Sequence, residues 1–290
     1  MKTAIKRTLK PIAFLPIFRI LSIDKVIKSS ILNKLGIQPF RVWLADKRYK
    51  MKSARVEDSV KTLHAELITN GITEINNFLP KEDFESLRNE INEIIRIEGW
   101  ERQRQDGPNL ISMTTVFNLD VEKYPNLKKF TQNEQINQLF SAAEKKKIKM
   151  KKGQIGVQIQ HLKQGHEEGA HDPETDLHED TFFNTHKGWL YLNDVKVETG
   201  PFVYVPKSHN SKHADRLKKV YKYSQGKGVT GSRRISEQEL AELNLEEKVC
   251  TCPENTFVMA NTLGFHRRLD GQKGEERLTL AVSARFNPFL

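Results

Sequence analysis

Gly153-Gln154-Ile155-Gly156-Val157-Gln158-Ile159-Gln160 is where the chain changes character. Ile155, Val157 and Ile159 alternate with glutamine and glycine, the period of two expected of a half-buried strand. Beyond it, residues 189–195, 202–205, 256–260 and 277–286 read as further strands. Ahead of it the apolar residues recur at helical spacing instead. Residues 22–35 carry Ile23, Val26, Ile27, Ile31 and Leu35, with Gly36 as a stop. Residues 41–51 read as a linker with a basic end. A helix over 56–69 presents Val60, Leu63, Leu67 and Ile68 and ends at Asn70-Gly71. A short strand follows over 72–75. Pro80 then opens a helix bearing Phe84, Leu87, Ile91, Ile94 and Ile95, with acidic residues in its first turn, as the helix dipole prefers. Residues 133–145 read as another helix. Helices first and strands afterwards predict an α+β chain whose second half is a β-sandwich or barrel.

Charge divides the chain differently. Of 290 residues, 47 are Lys or Arg and 37 are Asp or Glu, giving a net charge of +10. Residues 1–50 hold 12 basic and 2 acidic side chains, and residues 51–290 hold 35 of each. The body is neutral and the first 50 residues form a cationic segment, which argues against a nucleic-acid surface spread over the fold. We therefore divide the chain into a basic N-terminal helical segment, 1–50, and a catalytic domain, 51–290. Two cysteines, Cys250 and Cys252, exclude a disulfide framework and point to a reducing, cytoplasmic setting. With no other cysteine beside it, Cys250-x-Cys252 reads as ordinary strand rather than zinc site. No apolar run reaches the roughly 20 residues of a membrane span. Lys2, Lys6, Arg7 and Lys10 flank an apolar stretch over 12–20. That pattern fits a helix packed on the body, or an interfacial helix that brings the protein to anionic lipid.

The chemistry concentrates in Asp176-Leu177-His178-Glu179-Asp180, which contains His-x-Asp, and in His266, 88 residues later. Two imidazoles and one carboxylate on one face of a ferrous ion form a facial triad, leaving positions for a bidentate oxo-acid and dioxygen. Asp270-Gly271-Gln272-Lys273-Gly274 reads as a turn. A hairpin about it would set His266 opposite Arg277, so that a metal ligand and a carboxylate-binding guanidinium enter one cavity. Along the last strand Arg277, Thr279, Ala281, Ser283 and Arg285 share a polar face, and Leu278, Leu280, Val282, Ala284 and Phe286 share an apolar one.

Over roughly residues 65–290 these features resemble the phytanoyl-CoA dioxygenase-like family. The opening Leu67-Ile68-Thr69-Asn70-Gly71-Ile72 through Phe78-Leu79-Pro80-Lys81-Glu82 is similar to the family's first elements. So is the run Leu192-Asn193-Asp194-Val195, Thr199-Gly200-Pro201-Phe202 and Val205-Pro206-Lys207-Ser208-His209. The resemblance implies a double-stranded β-helix (jelly-roll, cupin-like) with packed N-terminal helices. It implies Fe(II) held by His178, Asp180 and His266, and 2-oxoglutarate as co-substrate, with ascorbate as an accessory reductant. Arg277, 11 residues after His266, matches the arginine that binds 2-oxoglutarate, and Trp189 matches a tryptophan beside it, although a tryptophan there also suits plain core packing. The implied reaction couples decarboxylation of 2-oxoglutarate to succinate and CO2 with hydroxylation of an unactivated C–H bond. A halogenating relative lacks the carboxylate, and Asp180 is intact. Lys207 stands where the family has glycine, and Arg268 where it often has a small hydroxyl residue. Arg268, Arg285 and the basic segment 207–247 are the candidates to shape the substrate mouth; their charge suits either an anionic small molecule or a solvated loop, and the resemblance implies a small-molecule, acyl or glycan-type substrate. His166 and His171 read as loop residues, and His209 as a backbone-bonded turn residue. A non-catalytic binding protein on this fold and a nucleic-acid-modifying oxygenase recruited by residues 1–50 are the alternatives.

Overall fold

The computed structural model describes residues 23–27, 29–165, 171–210, 213–224 and 232–289. The apolar stretch 12–20 and its flanking lysines lie outside these residues. In chain order the elements begin with α1 (Ser30–Lys34), α2 (Ile37–Met51), α3 (Lys61–Asn70), β1 (Ile72–Ile75) and α4 (Lys81–Glu98). A hairpin of β2 (Arg102–Asp106) and β3 (Asn109–Thr115) follows, then α5 (Pro125–Thr131), α6 (Glu134–Ala143) and β4 (Gly156–Lys163). The remainder comprises β5 (His178–Glu179), β6 (His186–Tyr191), β7 (Phe202–Tyr204), α7 (His213–Ser224), β8 (Arg233–Arg234), α8 (Glu237–Leu243), β9 (Lys248–Val249), β10 (Phe257–Asn261), β11 (His266–Arg268) and β12 (Glu276–Ala284).

The strands form two sheets. One has seven strands in the order β1-β10-β6-β12-β4-β3-β2, the other five in the order β8-β5-β11-β7-β9. Every pairing between them is antiparallel. This is the double-stranded β-helix, and the alternation along its strands explains how it closes. Leu280, Val282 and Ala284 of β12 and Val157 and Ile159 of β4 lie in one core with Phe84, Leu87, Ile91 and Ile94 of α4 and Leu139 and Phe140 of α6. Arg277, Ala281 and Ser283, and Gln158 and Gln160, line a cavity instead. The large sheet is thus apolar toward the helices and polar toward its interior.

Local chemistry sets the helix ends. Asn133 accepts from the Ile136 amide at 3.0 Å and starts α6. Gly71, at φ 80°, closes α3 through a bond from its amide to Leu67 O. Lys207 holds the left-handed conformation, φ 68°, that a glycine would hold without strain, and its amide bonds to Asn70 O.

Four expectations need correction. Residues 22–35 are not one helix. Among the described residues of this stretch only Ser30–Lys34 is helical, because the amide of Ile27 is taken by Gln38 Oε1 and its carbonyl by Asn33 Nδ2. Residues 41–51 are not a linker but most of α2, which packs on α7. The β2–β3 hairpin was not anticipated, since Arg102–Asp106 has no apolar residue to alternate. Fourth, β11 and β12 do not form a hairpin. His266 pairs with His178 and Tyr204 in the small sheet, whereas Arg277 pairs with Leu162 in the large one. The turn between them spends its hydrogen bonds elsewhere: Leu269 N on Pro201 O, Gln272 N on Glu198 O and Gly274 N on Gln164 O. The connection therefore crosses between sheets.

Arg41 carries the docking of α2. Its guanidinium is fully buried, lies 4.8 Å from the Phe182 ring centroid and 5.2 Å from that of Phe289, and donates to Lys25 O and Gln38 Oε1. Burial lowers its pKa to about 10. Val42 and Ala45 share an apolar cluster with Phe182, Phe183 and Val220. Arg41→Ala is expected to cost about 2–4 kcal/mol, from the lost cation–π packing and the orphaned acceptors. Urea unfolding of the full chain measures it; a change under 0.5 kcal/mol contradicts the role.

Candidate active site

His178 on β5 and His266 on β11 are direct cross-strand partners, with ring centroids 4.5 Å apart. Each ring is fixed in the same way. His178 Nδ1 lies 2.7 Å from Asp176 O and His266 Nδ1 lies 2.8 Å from Gly264 O, each a carbonyl two residues upstream. An Nδ1–H donated to a carbonyl leaves the Nε2 lone pair free, and both Nε2 atoms face Asp180 Oδ1, at 3.8 and 3.6 Å. One ligand atom from each of His178, Asp180 and His266 falls within 4.8 Å of the other two. Two neutral imidazoles and one carboxylate suit ferrous iron, and the carbonyls behind them supply the orienting contacts such sites need. Burial, reinforced by the neighbouring His266, lowers the His178 pKa to about 4 and keeps its ring a neutral donor. Burial would raise the Asp180 carboxyl. Lys187, 2.6 Å from Oδ2, outweighs it and holds the group well below the usual carboxylate range.

This cluster opens into a cavity of about 260 Å³ between the sheets. Arg277 stands in its wall, half-buried, donating to Gly200 O, and among the described residues it has no carboxylate partner. Burial lowers its pKa, as expected for a cation awaiting an anion. Trp189, half-buried, also lines the cavity and packs on Phe202 with centroids 4.7 Å apart. His266 and Arg277 therefore reach one space from facing sheets rather than from neighbouring strands.

The other singled-out residues lie as follows. Arg268 lines the cavity but is tied to buried Asp172, with Nε 3.1 Å from Oδ2. Arg285 stays outside it. It pairs with Asp24 at 3.0 Å and lines a second cavity, about 570 Å³, that shares Asp180, Lys187 and Ser283 with the first. His171 is exposed and bonded to Asp176 at 3.0 Å, and His209 Nε2 lies 3.1 Å from Ile68 O. His166 lies outside the described residues. Cys250 and Cys252 are free thiols. In the basic segment 207–247, Arg216 and Arg233 turn inward onto Glu179, and Lys219 pairs with Glu242 at 3.2 Å. These cations do not form an open anion-attracting surface. Sequence reasoning missed Lys187, whose partner Asp180 is seven residues away with no periodic relation to it. It also missed Gln158 and Gln160 as lining residues, although their alternation with Val157 and Ile159 already put them on the polar face.

Comparison with known proteins follows the same lines. No curated protein matches the sequence. The non-haem alpha-ketoglutarate-dependent epimerase SnoN from nogalamycin biosynthesis superposes with a TM-score of 0.52 at 14% identity, over 78% of this chain and 81% of its own. EctD from S. alaskensis, solved with 2-oxoglutarate and 5-hydroxyectoine, gives 0.51 at 11% identity over 82% of each chain. At such identities the likeness is one of fold. The family model described as phytanoyl-CoA dioxygenase matches residues 68–247, more than half of the chain, including the His178–Asp180 motif. His266 and Arg277 follow the matched stretch and are brought to the motif by β11 and β12. The chain belongs to the phytanoyl-CoA dioxygenase family.

Proposed function

We propose that this protein is an Fe(II)- and 2-oxoglutarate-dependent hydroxylase of a small polar, anionic molecule. One observation carries the reading: three ligand atoms converge within 4.8 Å in a cavity whose wall also holds a half-buried guanidinium without a carboxylate partner among the described residues. Iron with 2-oxoglutarate supplies activation of dioxygen, coupled to formation of succinate and CO2.

The chain's own residues would do the rest. His178 and His266 present Nε2, oriented by Asp176 O and Gly264 O. Asp180 presents Oδ1, while Lys187 occupies Oδ2 and keeps the carboxylate charged. Arg277 takes the distal carboxylate of 2-oxoglutarate as a charge-assisted pair, which in a buried site also fixes orientation. Trp189 and Phe202 form an apolar wall that limits water. An intact Asp180 fills the coordination position that a halide would need, which favours hydroxylation.

The second cavity is the substrate's approach in this reading. Lys25, Lys187 and Arg285 line it, the last two paired with Asp180 and Asp24 of the same wall, together with Thr181, Thr185 and Ser232. Asp24, Lys25 and Val26 come from the cationic N-terminal segment, so the division at residue 50 would separate sequence regions rather than functions. Oxygen- and iron-dependent conversion of 2-oxoglutarate to succinate tests the activity. If metal-loaded protein fails to bind 2-oxoglutarate, and His178→Ala changes nothing, the reading is wrong. Screening sugar phosphates, acyl thioesters and acidic amino acids for stimulated turnover tests the substrate class. For any hit, Arg285→Glu is expected to raise KM about 10-fold with kcat and iron affinity unchanged, since it removes attraction at the mouth and not at the metal. An unchanged KM sinks the assignment of the entrance.

A further inference from the structure

Glu179 lies between two proposed iron ligands, yet takes no part in the cavity. Strand alternation turns its side chain away from those of His178 and Asp180, and it is fully buried. There it meets two buried guanidiniums. Arg216 Nη2 lies 2.6 Å from Oε2, and Arg233 reaches Oε1 through Nε at 3.1 Å and Oε2 through Nη2 at 3.3 Å. Arg233 also forks onto Glu239, at 2.8 and 3.0 Å. Lys219 also reaches Glu239, at 3.5 Å. The opposing cations hold Glu179 ionised against a burial that would otherwise raise its pKa.

The bonds of Arg216 run further. The same Nη2 that binds Glu179 donates to Leu263 O at 2.9 Å, and Nη1 reaches His209 O at 3.4 Å. Leu263 precedes His266 by three residues, in the turn that feeds β11. One guanidinium thus joins the strand carrying His178 and Asp180 to the turn that delivers His266. A buried ion cluster is a poor source of net stability, since apolar side chains of similar volume commonly do as well. Backbone pairing already joins the two segments, at His178 with His266 and from Asp180 N to Thr262 O; what this cluster adds, and an apolar one does not, is a second, directional side-chain link behind that pairing.

We propose that Glu179 and Arg216 are positioning residues for the metal centre: together they set the separation of the His178–Asp180 strand from His266, with Arg233 anchoring Glu179. The proposal rests on the reading of the triad as the iron site. It also gives the segment 207–247 a task at the metal, through α7 and β8, that its surface charge does not suggest.

The test uses the full chain and Co(II), measured by calorimetric titration and by the ligand-field spectrum of the loaded protein. Wild type must first bind Co(II) and His178→Ala must lose it; failure there removes the iron site itself, separately from the present proposal. Arg216→Lys keeps the charge beside Glu179 but cannot fork to Leu263 O as well. The triple variant Glu179→Leu, Arg216→Met, Arg233→Leu keeps volume and removes the ions. In both, Co(II) affinity is expected to fall about 10-fold or more, the usual consequence of losing contacts behind metal ligands, with an altered spectrum at saturation. Circular dichroism and unfolding without metal report the fold. Wild-type affinity and spectrum in either folded variant overturn the proposal. So does the unfolding of both, which would assign the cluster to stability alone.

Discussion

Asp180→Ala is expected to lower succinate formation by about 10³-fold or more, equivalent to about 4 kcal/mol of activation free energy. The reasoning is electrostatic as well as geometric. Asp180 is the only carboxylate in the converging set, and its Oδ1 is the atom both imidazole Nε2 atoms face. Its removal takes away one of three donors and the negative charge that neutralises part of a divalent ion. It also leaves Lys187, now 2.6 Å from that carboxylate, as an uncompensated cation beside the site. The variant should therefore lose metal as well as rate, and the two are measured separately by titration with iron under anaerobic conditions and by turnover at saturating iron. Asp180→Asn distinguishes charge from volume: if it retains wild-type iron affinity, Asp180 is not a ligand.

Arg277→Leu is expected to raise the KM for 2-oxoglutarate by about 30- to 3000-fold, the range for truncating one side of a buried charge pair. Arg277 is half-buried, is hydrogen-bonded to Gly200 O and lacks a carboxylate partner among the described residues. A cation kept in that state gains from a bound dicarboxylate what it lost on leaving water. Leucine removes the charge and keeps much of the volume, so iron affinity and thermal stability should hold while co-substrate affinity falls. Arg277→Lys should recover only part of the loss, because an ammonium cannot grip a carboxylate through two parallel bonds. If Arg277→Leu keeps the wild-type KM, the distal carboxylate is bound elsewhere and the orientation of 2-oxoglutarate must be redrawn.

Much of the scaffold was legible because its signals are local. Val157 and Ile159 alternating with Gln158 and Gln160 described both faces of β4, and the same reading of β12 separated Leu278, Leu280 and Ala284 from the cavity-facing Arg277, Ala281 and Ser283. Asn133 and Gly71 marked helix ends because a cap is made by residues a few positions apart. The expectations that failed depended on partners outside the helical or strand period, some nearby and some far along the chain. Residues 23–29 have helical spacing, but Gln38 and Asn33 take the backbone groups of Ile27 that a helix would have used. The stretch 41–51 looks like a basic linker until Arg41 is found buried between Phe182 and Phe289.

The site divides along the same boundary. The sequence by itself determined the ligand types, because the chemistry of ferrous iron asks for two imidazoles and a carboxylate, and His178, Asp180 and His266 stand in a motif that supplies them. The family resemblance also pointed to Arg277, which lines the same cavity although the hairpin expected to bring it there does not form. How they meet was decided by the tertiary structure. His266 and Arg277 come from facing sheets, with their connection tied to Pro201, Glu198 and Gln164 rather than folded into a hairpin. Lys187 on Asp180 and Arg216 on Glu179 were invisible for the same physical reason. A charge pair depends on distance through space, and neither spacing nor periodicity along the chain records which distant side chains the two sheets press together.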